Sequence, residues 1–210
     1  MKNQLVFFIG LLGVLLFIGT TLLGGFLIED YNSLEQFISE SYAIDTEHGL
    51  LLRILGFIPS GMLLTVFCFL APKYLQTSKQ TKFGFYGVGL FYGTATIVVS
   101  IFPCDSGCNR ELIAPSISQL VHNFIGALTY TLVPIFILLV GFGLKSAHKT
   151  LSIQSFVLGG LSIFFVFILM GNSNSHFIGL YQRIIESIFL LWFILCAFRI
   201  KNLSLFNSKS

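Results

Sequence analysis

The sequence predicts an all-α, polytopic membrane protein: one bundle of six transmembrane helices with both termini cytoplasmic and a short amphipathic helix in the first outer loop. Three observations lead there. Of the 210 residues, 55% are hydrophobic and only 10% are charged, whereas a water-soluble domain carries about 25% charged residues. The mean hydropathy is +0.87, and 24 Phe with only 5 Pro exclude a polar, low-complexity polymer. Finally, the few charges are sorted by loop. So much apolar surface stays dispersed only in lipid.

A helix needs about 20 apolar residues to cross a bilayer core. Runs of that kind occupy residues 5–28, 49–71, 83–103, 118–144, 153–171 and 177–200. The first is longer than a signal-peptide core of 7–15 residues and lacks a small-x-small cleavage site before Glu29, so it reads as a span. The connections are short and polar, which makes neighbouring helices antiparallel. No internal repeat, second domain or soluble appendage is expected, and the whole of residues 1–210 forms one transmembrane domain.

Basic residues set the orientation. Lys2, Lys73, Lys79, Lys82, Lys145, Lys149, Arg199, Lys201 and Lys209 fall at the positions that share one side in an even-span topology. The other side receives Arg110 with Glu29, Asp30, Glu35, Glu40, Asp45, Glu47, Asp105 and Glu111. The basic side is cytoplasmic by the positive-inside rule, and the expected location is the plasma membrane, bacterial inner membrane by type. The net charge of +3 is spent on orientation, and no nucleic-acid partner is expected. The expected partner is membrane lipid; the oligomeric state is left open.

In the first outer loop, Ser33 and Gln36 have capping-box spacing. Leu34, Phe37, Ile38 and Tyr42 then fall on one helical face opposite Glu35, Ser39 and Glu40. This fits a short helix in the outer interface, either a lid over a cavity or a plain connection. Gly10 and Gly13 in the first span, and Gly84, Gly89 and Gly93 in the third, let helix backbones approach; packing within the chain is the simpler outcome, a dimer contact the other.

Ionisable groups inside a span cost about 3 kcal/mol on insertion scales and need a reason. Arg53 lies in the second span; Arg183 and Glu186 lie in the last at i, i+3 spacing, close enough to pair. His48, His122 and His176 sit at the outer ends of three spans, while His148 lies among cytoplasmic lysines. Ser118, His122 and Thr129 share a face of the fourth span, Gly126 leaves space beside them, and the turn from the third span can return His122 towards Asp105. Each has a plainer role: interfacial hydrogen bonding for a histidine, snorkelling for Arg53, a structural ion pair for Arg183 with Glu186, loop capping for Asp105.

Together they form an outer polar layer that suits two chemistries. In one, His122, His48, His176 and Asp105 ligate zinc, whose bound water becomes a nucleophile. Asp105, Arg53, Arg183, Ser118 and Glu186 are then the candidate catalytic and substrate-positioning residues of a hydrolase or transferase acting on a lipid headgroup. No HExxH pattern backs the ligand set. In the other, the layer is a non-catalytic site or carrier for an anionic lipid or small solute, its arginines binding the anion and its histidines sensing pH. A structural module and a haem or quinone protein rank behind both. Cys104 and Cys108 lie in an outer loop where a disulfide staple is expected, Gly107 allowing the tight turn. Cys68 and Cys196 read as buried apolar residues.

The pieces Phe37-Ile-Ser-Glu40, Phe102-Pro-Cys-Asp-Ser-Gly-Cys108, His122 and Gly179-Leu-Tyr-Gln-Arg183 resemble the six-helix membrane proteins of domain-of-unknown-function family nine-nine-eight, over nearly the whole chain. That resemblance implies the fold and no reaction. More distantly, the chain is similar to the membrane hydrolases that include alkaline ceramidases and adiponectin receptors. Their three-histidine zinc site with a nearby Asp and Ser would give Asp105 and His122 comparable roles. Six spans instead of seven, and no His-x-x-x-His in the last span, depart from that pattern.

Overall fold

The computed structural model describes residues 2–75, 78–172 and 175–207; Lys209, counted above on the basic side, lies outside them. Of the described residues, 81% are helical. Among the described residues the long helices are α1 (Lys2–Leu27), α2 (Gly49–Leu75), α3 (Lys79–Ile101), α4 (Ile117–Leu144), α5 (Lys149–Gly171) and α6 (Ile178–Asn207). By length and composition, α1 to α5 are each apolar enough to cross a membrane. The chain is a multi-pass membrane protein.

Each helix packs on its neighbours in the chain, and α6 returns to α1, so the six close a ring. Small residues set the spacing. A Cβ on Gly61 would lie 2.6 Å from the Gly93 carbonyl, and one on Gly93 would lie 2.7 Å from the Thr65 nitrogen; α2 and α3 touch backbone to backbone. Gly10 lies under Phe67 and Gly84 against the Phe136 carbonyl. The glycines of the first and third spans thus serve packing within the chain.

The end of the ring bearing the lysines is solid. Leu64, Phe67, Phe85, Ile137, Phe189, Trp192 and Phe193 are fully buried, and the Trp192 indole donates to the Ser155 hydroxyl at 3.0 Å. Cys68 and Cys196 are buried and free, as expected. His148, expected among solvated lysines, is instead an acceptor: Arg199 Nε and Nη2 lie 3.2 and 3.0 Å from its Nδ1. The opposite, acidic end is looser and holds the long loop 28–48, the turn 102–116 and the start of α6. Two π-helical turns, Arg53–Phe57 in α2 and Gly89–Thr94 in α3, lie towards that end. Each adds a residue to one helical turn, a distortion found often at functional sites, and the two carry Phe57 and Tyr92, which face the same cavity.

Candidate functional site

The first loop folds inward rather than lying flat. Residues Ile38–Tyr42 form a 3-10 turn, and all five are buried. An interfacial amphipathic helix would leave Ser39 and Glu40 wet, so that expectation is corrected. The reason is that both polar side chains find partners inside. Glu40 Oε1 accepts the Phe37 N–H at 2.8 Å and Arg110 Nη2 at 2.6 Å. The Ser33–Gln36 capping box does not form either; Gln36 Oε1 accepts the Asn32 N–H at 2.7 Å.

Arg183 fastens this loop to α6. Its Nη1 donates to the carbonyls of Ser33 and Gln36 at 2.7 Å and of Gly179 at 3.0 Å, and its Nη2 reaches the Tyr31 hydroxyl at 2.5 Å. The expected Arg183–Glu186 pair is therefore absent among the described residues. Helical side chains lean towards the N-terminus of their helix, which carries the guanidinium up to the loop while Glu186 stays inside the ring. Burial pushes the Tyr31 phenol up, and Arg183 partly offsets this. Arg53 is likewise engaged, donating to the Gly49 carbonyl at 3.2 Å and the Ser100 carbonyl at 3.3 Å.

The turn after α3 is pinned by a Cys104–Cys108 disulfide, as expected, with Gly107 at φ +59°. Cys108, Asn109, Leu112 and Ala114 also take positive φ, which costs L-residues energy and is held by side-chain bonds. Asn109 Oδ1 accepts the Ile113 N–H at 3.0 Å. Asp105 accepts the Ser116 N–H at 3.0 Å and the Ser116 hydroxyl at 2.5 Å. Those donors hold the Asp105 carboxyl below its ordinary range. A depressed carboxyl contributes stability above its unfolded pKa of about 3.9 and loses it as pH falls through the folded value. The Ser116 amide should thus show a larger protection factor, its exchange being slowed relative to the intrinsic rate at the same pH, at neutral pH than at about pH 3. Asp105→Asn should remove most of that difference, measured by hydrogen exchange.

Above the packed core lies a cavity of about 370 Å³, within the roughly 300–1,000 Å³ of small-molecule sites. Glu186 sits at its floor, about 12 Å along α6 from its start at 1.5 Å per residue. Tyr92 donates to Glu186 Oε2 at 2.7 Å and Tyr130 to Oε1 at 2.8 Å. Gln182 Nε2 donates to the Tyr130 hydroxyl at 2.9 Å, while Gln182 Oε1 accepts the Ile38 N–H at 2.7 Å. This chain fixes the amide orientation of Gln182 and the direction of the Tyr130 proton. It also ties the floor of the cavity to the loop above. His122 lines one wall, its Nδ1 within 3.0 Å of the Phe102 carbonyl and 3.3 Å of the Val99 carbonyl. Arg110, Phe37 and Tyr42 lie on the loop side.

The remaining expected residues are dispersed. His48 stands at the N-cap position of α2 without a side-chain capping bond and is half-exposed. His176 is exposed, 3.6 Å from Glu35 Oε1. Ser118 donates to the Pro103 carbonyl at 2.6 Å and closes the turn into α4. Among the described residues no three His, Cys, Asp or Glu side chains are grouped as metal ligands would be. The residues expected as zinc ligands lie apart in this structure: His122 faces the cavity, whereas Asp105 is bound to Ser116 and His176 lies in the open. Of the candidate catalytic and metal-ligating residues, His122 and Glu186 reach the cavity, and Cys108 and Thr129 line it as well. Tyr92, Tyr130 and Gln182 were missed, because a tyrosine counts as one more aromatic in an apolar span. The signal that could find them is depth, since Tyr92 and Tyr130 lie far from either span end, where interfacial tyrosines belong.

A family model described as "Protein of unknown function (DUF998)" matches residues 11–199. The chain belongs to this family. The match runs from within α1 through most of α6 and includes every cavity residue named above. Comparison with curated proteins and with solved structures gave no match, so the likeness to ceramidase-type hydrolases gains no support.

Proposed function

We propose that this DUF998 protein is a single-domain, six-span protein of the plasma membrane, termini in the cytoplasm, that binds a small amphipathic molecule in a cavity at its outer end. It acts as a binding protein or carrier. The observation that carries this reading is the cavity itself: room for a small molecule inside a ring of apolar helices, with a buried carboxyl, three phenols and an imidazole on its surface. Polar groups at that depth are costly and mark ligand paths. Binding is favoured over hydrolysis because the two threonine hydroxyls of the wall are already committed. Thr96 and Thr129 donate to the carbonyls one turn back, of Tyr92 and Ile125, and the His122 Nδ1 is held by backbone.

Sidedness follows from the sorting of lysines. A cysteine placed at Arg110 should react with an impermeant thiol reagent on intact cells, and one at Lys145 only after permeabilisation; the reverse pattern would invert the topology. Binding is tested by filling the cavity. Gly126 lies on its wall with nothing within 4 Å of a Cβ added there. Gly126→Phe should leave the fold and thermal stability near wild type while abolishing ligand-induced stabilisation of the protein in nanodiscs. A variant that responds to small molecules as the wild type does would remove the cavity from the account.

A further inference from the structure

The cavity floor has more acceptors than donors. An ionised carboxylate offers about four lone-pair positions, and Tyr92 and Tyr130 occupy two of them. The direction of the Tyr130 bond is not free, since the Tyr130 oxygen receives the Gln182 amide and must give its own proton to Glu186. Two positions on Glu186 are left for whatever enters the cavity.

No positive side chain fills them. Among the described residues the ion pairs are Arg110 with Glu40 and His176 with Glu35, and Glu186 takes part in neither. Arg183, one turn away, is turned to loop carbonyls, and Arg53 to carbonyls of α2 and α3. Arg110 also borders the cavity but brings its own counter-charge, Glu40. Aromatic rings of Phe17, Tyr42, Phe57 and Tyr92 line the walls, with aliphatic and small uncharged polar side chains between them. Aromatic faces attract cations and do nothing for anions. A buried carboxyl is expensive unless a cation or enough donors meet it.

We propose that the cavity ligand is an organic ammonium, a positively charged nitrogen with N–H groups on an apolar body, bound head-down on Glu186. This rests on the binding reading above and replaces the anionic ligand expected from the arginines. The ammonium donates to the two open carboxylate positions, its flanks face the phenol and phenyl rings, and its chain lies along the wall beside Gly126. Because Ile38 donates to Gln182 and Gln182 to Tyr130, the loop over the cavity and the carboxyl beneath it belong to one hydrogen-bond chain. The ligand therefore stiffens the loop that covers it.

The test uses the full chain in nanodiscs of zwitterionic lipid and four probes of equal chain length: octylamine, octyltrimethylammonium, 1-octanol and octyl phosphate. Binding is read as ligand-dependent thermal stabilisation, with Gly126→Phe subtracting bilayer effects. Octylamine should bind at least about tenfold more tightly than octanol or octyl phosphate, the difference expected for a charge-assisted bond, and more tightly than the quaternary probe. Glu186→Gln should lower octylamine affinity by about tenfold or more and leave octanol unchanged, while Glu186→Asp keeps the amine preference. The wild-type ranking stands as a test even if the glutamine variant folds poorly. A preference for octyl phosphate, or equal binding of amine and octanol lost only in Gly126→Phe, overturns the ammonium assignment and leaves the cavity standing. Probes that act alike on wild type and Gly126→Phe overturn the binding reading itself.

Discussion

Replacing Arg183 by Met is expected to release residues 31–42 from α6 and to destabilise the protein by about 2–3 kcal/mol, the scale for hydrogen bonds to a charged group. The guanidinium meets three carbonyls, of Ser33, Gln36 and Gly179, and the Tyr31 hydroxyl. Methionine keeps the aliphatic stem and removes every donor. The loss is concentrated because Gly179 packs directly on the loop: a Cβ there would lie 2.8 Å from the Ser33 carbonyl, so no side chain can move in to substitute. Lysine should recover little, since one ammonium cannot span the fork. Hydrogen exchange should show faster exchange across residues 31–42 with α2 to α5 unchanged. The cavity should bind ligand more weakly as well, because Ile38 of this loop anchors Gln182.

The second large effect belongs to the α2–α3 contact. Gly93→Leu should cost about 3 kcal/mol, the upper end for overpacking a close contact. The new Cβ would meet the Thr65 nitrogen at 2.7 Å and the Gly61 carbonyl at 3.0 Å, and backbone cannot swing aside as a side chain can. Gly160→Leu, where nothing lies within 4 Å of the added Cβ, should be close to neutral in the same denaturation assay. Because Tyr92 precedes Gly93, forcing α3 outward also draws the Tyr92 hydroxyl from Glu186. Ligand affinity should therefore fall together with stability in the Gly93 variant and not in the Gly160 variant.

These two sites also mark what was legible in the sequence. The helices and the glycine contacts follow from composition and spacing, because burial in lipid acts on runs of residues and a missing Cβ has one steric meaning. The disulfide turn was readable for the same reason: Gly107 can take the left-handed conformation the turn needs. Glu186 and His122 stood out as polar groups in apolar spans, and both face the cavity.

Arg183 was visible as a charge but not as a loop clasp, because its partners are backbone carbonyls and every residue has one. The i, i+3 spacing to Glu186 allowed a pair; the lean of the side chain towards the start of α6 decided against it. The outer histidines share a layer, yet a layer is not a site. Helix rotation sends His122 inward, while His176 lies ahead of the first turn of α6, in the open. The buried loop turn read as an amphipathic helix because Glu40 looks solvent-seeking until Arg110, 70 residues away, is placed beside it.

The central claim is that a molecule sits in the cavity with its head on Glu186. Photoaffinity mapping tests it most directly. A diazirine-bearing octylamine, irradiated with the wild-type protein in nanodiscs and located by peptide mass spectrometry, should label segments containing Tyr92, Tyr130 or Glu186. Unlabelled octylamine should protect them, and Gly126→Phe should leave them unlabelled. Label confined to lipid-facing residues such as Phe164 and Phe167, with no protection by competitor, would contradict the claim.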